Sequence, residues 1–426
     1  MSALPHDEFL ADDPCGCPQP GPTRRSMLRG AALLGATTMF GGTAVTVGAR
    51  DAVAAKAAPR GGNALVVVSL RGAADGLSLV VPHGDPVYYA ARPGIAVPAD
   101  QLIAKDGFFG MHPAMAPLLP LWTAGKLAAV HATGLPVPNR SHFSAMEELE
   151  DADPGSSQRV GWLNRLVGND GSEGSLRALA VGTSLPTAMA GPQPVMSFAS
   201  LERARVAGTG RRASAATGRL GALNAQWARA AGPMGGAFRE ALAAVVDLRS
   251  AVEQPSNLAA YPTTDLGQAL SSVARTLRAD LGVAAVTVDS GIWDMHVGLG
   301  KPESGWMRNN ATELSTAIAA FFADLGPAAD RVTLVTISEF GRRVQENANG
   351  GLDHGWGNVM LVAGAGVKGG QYYGRWPGLQ AGLDADVSVT TDYRSVLAEI
   401  VATRTSASTA AVFPGFQPEA VGVMAA

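Results

Sequence analysis

The sequence predicts a doubly wound α/β fold built on a mainly parallel sheet. Val-rich apolar runs recur along the chain, at residues 64–70, 127–130, 179–181, 283–288, 332–337 and 360–362. A run that is apolar on both faces is typical of a central parallel strand, because helices cover both of its sides. Segments with helical character lie between these runs, at residues 141–151, 266–281, 312–325 and 393–403. Strands that alternate with helices indicate this fold class.

The amino-terminal region has the order of a twin-arginine export signal. Arg24 and Arg25 precede a weakly apolar stretch, residues 30–48, whose many Gly and Thr residues make it a poor membrane anchor. We therefore expect cleavage near 52–54 or 55–57, with residues 1–57 as the signal peptide and 58–426 as one α/β domain; an uncleaved signal anchor is the alternative. The implied partner is the twin-arginine translocase. The implied location is the periplasm, the cell wall or the medium.

Composition excludes several classes of protein and site. Cys15 and Cys17 lie upstream of the arginine pair, so the mature chain would contain neither disulfides nor cysteine-ligated metals. The net charge of −3 and the absence of a basic field argue against nucleic acid as a partner. A hydrophobic content of 47% without a second long apolar run predicts a globular mature chain with no transmembrane segment.

Residues 202–254 are predicted to form a helical insertion. The segment is rich in Ala and Arg and has helical periodicity. It would either cover a substrate cleft or serve as scaffold, and a pattern of this kind mostly reports burial.

Polar side chains follow the predicted strands. Ligands of open α/β sheets bind at the carboxyl ends of the strands, and the candidates there are Asp75, Asp294, His296, Glu339, Asp353 and His354. Asp, Glu and neutral His are ligands of divalent metals, and Asp294 and His296 share a face if the backbone between them is extended. A single Asp–His pair is more often only hydrogen-bonded. The combination of clusters places a metal site on equal terms with that alternative.

A second group of candidates lies at the start of the predicted helix 141–151. Free backbone N–H groups and the helix dipole favour an anion at Ser141, although an N-cap role is the simpler alternative. Ser144 and Glu147 also fit a capping box, which would leave Ser141 free for chemistry. His142 is a candidate metal ligand, general base or neutral packing residue.

Taken together, these motifs resemble an exported bacterial family, domain of unknown function 1501. The resemblance covers residues 60–405 and rests on LRGAADGL (70–77), NRSHF (139–143), WDMH (293–296), SEFGR (338–342), DHG (353–355) and TDYR (391–394). That family is grouped with the alkaline phosphatase and sulfatase superfamily. The resemblance therefore implies an alkaline phosphatase-like fold.

The resemblance also implies roles for individual residues. The superfamily uses two adjacent metal ions, ligands from strand ends and a Ser or Thr nucleophile at a helix start. Ser141 corresponds to the nucleophile, and the residues that correspond to ligands are Asp75, Asp294, His296, Glu339 and His354. Two features depart from the pattern and fall on the second metal site: Asp75 stands five residues beyond Leu70, and Ser-Glu-Phe-Gly at 338–341 replaces Asp-His-Gly.

Two functions from different classes follow. The first is a hydrolase of phosphate or sulfate esters of small molecules or glycans, dependent on one or two divalent ions such as zinc, manganese or calcium. Ser141 and His142 would carry its chemistry, and Arg140 or Arg342 would hold the ester oxygens. The second is an exported, non-catalytic binding or assembly protein on the same fold, which a defective second metal site would suit better.

Overall fold

The structure is a computed structural model. It describes residues 36–40, 43–47, 61–171, 174, 176–182, 184–204, 213–230 and 232–425. Arg24, Arg25 and the predicted cleavage sites lie outside the described residues, so the export signal stays a prediction.

A mixed, mostly parallel sheet forms the centre of the molecule. The strands are, in chain order, β1 (Ala36–Phe40), β2 (Thr43–Val47), β3 (Ala64–Leu70), β4 (Val80–Val81), β5 (Gly110–Met111), β6 (Leu127–Gly134), β7 (Ala178–Val181), β8 (Val195–Phe198), β9 (Ala285–Ser290), β10 (Val332–Ile337), β11 (Asn358–Gly364), β12 (Tyr372–Tyr373) and β13 (Thr391–Asp392). Nine of them follow the order β8-β7-β9-β3-β10-β11-β6, with β12 and β13 both beside β6. Strand β3 is central and parallel to β9 and β10, as its fully apolar sequence predicts.

Two elements lie outside this arrangement. Strands β1 and β2 form an antiparallel pair that continues the sheet beyond β8. Both fall in the stretch 30–48 that we assign to the export signal. Strands β4 and β5 form a separate two-stranded sheet.

Helices cover both faces of the sheet. They are α1 (Gly76–Leu79), α2 (Pro86–Ala91), α3 (Leu119–Thr123), α4 (His142–Asp151), α5 (Trp162–Asn169), α6 (Ala213–Trp227), α7 (Gly232–Asp247), α8 (Arg249–Glu253), α9 (Asp265–Arg278), α10 (Trp306–Leu325), α11 (Tyr393–Arg404) and α12 (Thr409–Val412). Along β3, Val66 and Val68 pack with α9 and α10, whereas Leu65 and Val67 pack with α4, α5 and α11. The predicted α/β class is therefore confirmed.

Helix α10 begins earlier than the sequence pattern predicts. It starts at Trp306, after Gly305 with φ 117°, whereas the apolar periodicity predicts residue 312. Polar residues follow Trp306 and Met307, and one of them, Asn310, makes a tertiary contact by donating a hydrogen bond to the carbonyl of Ile292 (2.6 Å). A polar residue that is buried by a contact distant in the chain does not add to the apolar periodicity, so the sequence pattern places the start of the helix too late.

Helices α6, α7 and α8 occupy the range predicted as an insertion, 202–254. Buried residues of this segment, including Leu242, Val245 and Leu248, pack into the same core as α9. Within the described parts of the chain, none of the helices is long and apolar enough to cross a membrane.

The topology brings distant segments to one edge of the sheet. The carboxyl ends of the parallel strands β3, β9 and β10 meet there. Strand β11 is antiparallel to both β10 and β6, so the residues just before β11 and just after β6 reach the same edge. Segments 71–75, 291–296, 338–342, 353–357 and the start of α4 therefore converge.

Candidate functional site

Three histidines and one aspartate converge at this edge. The Nε2 atom of His354 lies 3.0 Å from Nε2 of His142 and 2.9 Å from Nε2 of His296. Asp294 faces the same point: its Oδ1 is 3.1 Å from Nε2 of His296 and 3.6 Å from Nε2 of His354, and its Oδ2 is 3.7 Å from Nε2 of His142. We call these four residues the histidine–aspartate centre.

The outer nitrogen of each histidine meets an oxygen. Nδ1 of His142 lies 2.9 Å from Oε1 of Glu339, Nδ1 of His296 lies 3.1 Å from Oδ1 of Asp353, and Nδ1 of His354 lies 2.9 Å from the carbonyl oxygen of Arg140. A carbonyl or carboxylate oxygen accepts a hydrogen bond, so each Nδ1 carries a proton. With Nε2 unprotonated, as a metal requires, each imidazole would direct its Nε2 lone pair at the centre, which is the arrangement that supports a metal-binding histidine.

The carboxylates give the centre affinity for positive charge. Burial alone would lower the pKa of His142, but hydrogen bonds to Asp294 and Glu339 and the charges of both raise it to about 9. The hydrogen bond to Asp294 likewise raises the pKa of His296 against the effect of burial. Burial opposes ionisation of Asp294, yet the three histidines and Arg342 hold its pKa well below the usual range. The centre therefore attracts either protons or a metal ion.

Arg342 connects the converging segments. Its buried guanidinium donates from Nε to the carbonyl of Ala73 (2.7 Å), from Nη1 to that of Leu352 (3.0 Å), and from Nη2 to that of Gly72 (2.6 Å). It also pairs with Oδ1 of Asp294. Its N–H donors bond to groups of the protein, so in this conformation Arg342 does not hold ester oxygens as predicted.

Comparison with known proteins places the chain in a family. The family described as "Protein of unknown function (DUF1501)" matches residues 108–412. The chain belongs to the DUF1501 family. No curated protein matches it. The predicted resemblance is confirmed at this level, and the matched range contains the whole histidine–aspartate centre.

Two predicted ligands of the DUF1501 chain support histidines instead of facing the centre. Glu339 is buried; its Oε1 contacts His142 and accepts a hydrogen bond from the backbone N–H of Gly72 (2.8 Å). Asp353 is more exposed and contacts His296 and the amide nitrogen of Asn347 (3.2 Å). Each carboxylate accepts a hydrogen bond from the Nδ1 of a histidine, so the imidazole ring separates it from the converging Nε2 atoms.

Asp75 does not join the centre. It is buried at the N-cap position of α1, and its two carboxylate oxygens accept hydrogen bonds from Nη1 (2.6 Å) and Nη2 (3.0 Å) of Arg92. Arg92 is itself fully buried. The carboxylate is therefore engaged on both oxygens by a structural ion pair.

Ser141 occupies the N-cap position of α4, directly before His142. Among the described contacts its hydroxyl makes no capping hydrogen bond, although its backbone N–H donates to Oδ1 of Asn139 (3.1 Å). The alternative cap, Ser144, is wrong: it lies inside the first turn, where its hydroxyl donates to Glu148 (3.4 Å). The side chain of Arg140 pairs with Asp386, so only its backbone carbonyl serves the centre.

Sequence reasoning missed the residues that permit the close approach of the segments. A Cβ atom at Gly72 would lie 2.6 Å from the backbone nitrogen of Asp294, and one at Gly351 would lie 2.1 Å from the carbonyl oxygen of His296. Asn347 donates to that same carbonyl (2.9 Å). The run NANGG at 347–351 has the composition of a turn, and its composition alone does not show that it supports a site.

Proposed function

We propose that this DUF1501 chain binds one divalent metal ion at the histidine–aspartate centre and hydrolyses phosphate or sulfate esters. The observation that carries the proposal is the convergence of three Nε2 atoms with Asp294 while all three Nδ1 atoms contact oxygens. Ligands about 2.0–2.1 Å from a tetrahedral zinc ion lie roughly 3.3 Å apart. The five separations given above, 2.9 to 3.7 Å, bracket that value, and the ligand atoms of His142, Asp294 and His354 all lie within 4.8 Å of one another.

The donor set favours zinc or manganese over calcium. Calcium takes oxygen ligands, whereas imidazole suits the transition metals and zinc. One ion fits better than two, because Asp75 is paired with Arg92 and Glu339 is engaged by His142 and Gly72. These are the residues to which the superfamily pattern would assign the second ion.

Exposure supports a catalytic role over a purely structural one. The side chain of Asp294 is 46% exposed and that of His296 is 42% exposed, so an ion held by His142, Asp294 and His354 could take water or substrate at its fourth position, as ions in catalytic sites do. A bound ion would polarise the ester and acidify an attacking hydroxyl or water. The first-turn N–H groups of α4 favour negative charge at Ser141, which is the charge a nucleophilic oxygen develops. A non-catalytic binding or assembly protein is the competing proposal.

Ser141→Ala separates these two proposals. We expect zinc- or manganese-loaded wild type to turn over 4-nitrophenyl phosphate or sulfate, and the variant to lose this activity by on the order of 100-fold or more. Stability should change by less than about 0.5 kcal/mol, because the hydroxyl contributes no capping hydrogen bond. Ser157→Ala, at an exposed bend, is the matched control.

The outcomes divide clearly. Metal-dependent turnover that survives in Ser141→Ala contradicts the nucleophile. Absence of turnover by the metal-loaded wild type across a panel of phosphate and sulfate esters contradicts the hydrolase and favours the binding protein.

We further propose export through the twin-arginine translocase, supported by Arg24 and Arg25 before a weakly apolar stretch. Replacing both with lysine should leave the precursor in the cytoplasm, while Arg50→Lys should not. Cell fractionation measures this, and undiminished export of the double variant would contradict the proposal.

A further inference from the structure

Exposed apolar residues lie next to the residues of the histidine–aspartate centre along the chain. Phe143 is 81% exposed and follows His142, Val297 is 57% exposed and follows His296, and Ile292 is 71% exposed and lies two residues before Asp294. Trp306 is 49% exposed, and its ring lies 3.6 Å from the position of a Cβ at Gly298. We call Phe143, Ile292, Val297 and Trp306 the apolar rim. Phe143, Ile292 and Val297 lie within two residues of a member of the centre, and Trp306 reaches the same segment through the hydrogen bond from its backbone N–H to the carbonyl of Gly298 (3.4 Å).

The backbone at Ile292 shows that this exposure is held in place. Its φ is 69°, a left-handed conformation that is a genuine outlier for a β-branched residue. The buried Asn310 donates a hydrogen bond to its carbonyl and fixes it there. Strain of this kind persists where the surrounding structure enforces it and clusters at functional sites. Its result here is an isoleucine side chain presented to solvent beside Asp294.

The charges near the centre leave little to bind a second anionic group. Arg140 pairs with Asp386, Arg343 pairs with both Asp384 and Asp386, and Arg342 pairs with Asp294. These guanidinium groups are therefore already neutralised by carboxylates. Beyond the metal ion itself, the apolar rim offers a ligand binding energy through the burial of apolar surface.

Resting on the proposed function, we infer that the substrate is a phosphate or sulfate ester that carries an alkyl or aryl group. Its charged end binds at the centre, and its apolar group lies against the rim. The apolar rim therefore favours an apolar ester over a hydroxyl-rich glycan as the substrate class. Phe143 and Ile292 are then specificity-determining residues.

Calorimetric titration of the zinc-loaded protein with methyl-, butyl- and octylphosphonate tests this inference without turnover. A fully buried methylene is worth about fourfold in affinity, so a partly buried octyl chain should bind about tenfold or more tighter than methyl. The double variant Phe143→Ser with Ile292→Asn should retain zinc but reduce that preference to below about threefold. Asn is chosen at 292 because it tolerates the left-handed conformation. Leu258→Ser removes an exposed apolar side chain of the Leu258–Ala260 3₁₀ helix and should keep the full preference.

Each outcome has one meaning. Equal affinity for methyl- and octylphosphonate, or an undiminished octyl preference in the double variant, overturns the inference and leaves the metal-dependent hydrolase standing. A wild type that retains no zinc overturns the proposed function, and this inference with it.

Discussion

His142 connects the histidine–aspartate centre to the buried carboxylate of Glu339. Its Nε2 faces His354 and Asp294, and its Nδ1 contacts Glu339. In the metal-free protein these carboxylates stabilise a proton on the ring, against the effect of burial, and raise the pKa of His142 to about 9. A metal ion would compete with that proton for the same Nε2 atom. The protonation of one side chain thus reports whether the centre is loaded.

This raised pKa predicts how stability of the metal-free protein depends on pH. Between the unfolded pKa near 6.5 and the folded pKa near 9, the folded state binds the extra proton, so the free energy of unfolding must fall as pH rises. After allowance for solvent screening of this partly exposed ring, we expect a loss of about 1–2 kcal/mol across the window. Urea unfolding in chelator at several pH values measures it.

His142→Asn should reduce this fall and leave the part that the raised pKa of His296 contributes, whereas His83→Asn, whose ring contacts the Asp106 carbonyl away from the centre, should preserve all of it. The carboxylates Asp294, Glu339 and Asp353 have lowered pKa values, so they add no slope in this window. Stability of the wild type that stays constant or rises from pH 6.5 to 9 would contradict this account of His142.

Among the secondary-structure elements, the short helix α1 depends on a buried ion pair. Asp75 at its N-cap position and Arg92 just after α2 bind each other through two hydrogen bonds, and Arg92 also donates to Ser78 and to the carbonyl of Val344. Asp75→Ala leaves the guanidinium buried without its counter-charge. The expected loss of stability is about 3–5 kcal/mol.

The same variant tests the assignment of Asp75. Zinc content should remain that of wild type, because the carboxylate does not reach the centre. Where Asp75→Ala does not fold, the Asp75→Leu, Arg92→Met pair removes both charges, and zinc content is measured on that protein. Loss of zinc from a folded variant would show that Asp75 is a ligand after all.

Elements were more predictable from the sequence than the roles of side chains. The bounds of β3 and β10 match the apolar runs 64–70 and 332–337, because a strand buried on both faces needs an unbroken run of apolar residues. The run VMSF of β8 was missed, since four residues give little pattern.

Side-chain roles depended on contacts far apart in the sequence. His142, Asp294, His296 and His354 were candidates because of their residue types, and the structure brings them together. Glu339 was equally plausible as a ligand, and its contact with His142, 197 residues away, moves it out of the converging set. Residue type identifies what can bind a metal, but only the fold decides which atoms face it.

At the scale of the whole molecule, the sheet order is what assembles the centre. The three histidines come from the start of α4, the segment after β9 and the segment before β11. Because β11 is antiparallel to β10, it begins at the edge where β10 ends, so Asp353 and His354 just before it lie at the carboxyl ends of β3 and β9. The fold therefore supplies the site even though the ligands are spread over more than half of the matched family range.

The most direct test of the central claim is titration of the chelator-stripped protein with zinc, followed by calorimetry and thermal unfolding. The account predicts one equivalent bound by wild type and by His83→Asn, with stabilisation of about 2.7 kcal/mol when free zinc is 100 times the dissociation constant. It predicts that His142→Asn, His296→Asn and His354→Asn each weaken binding and lower that stabilisation. Less than one equivalent in wild type, or undiminished binding in all three histidine variants, would contradict it.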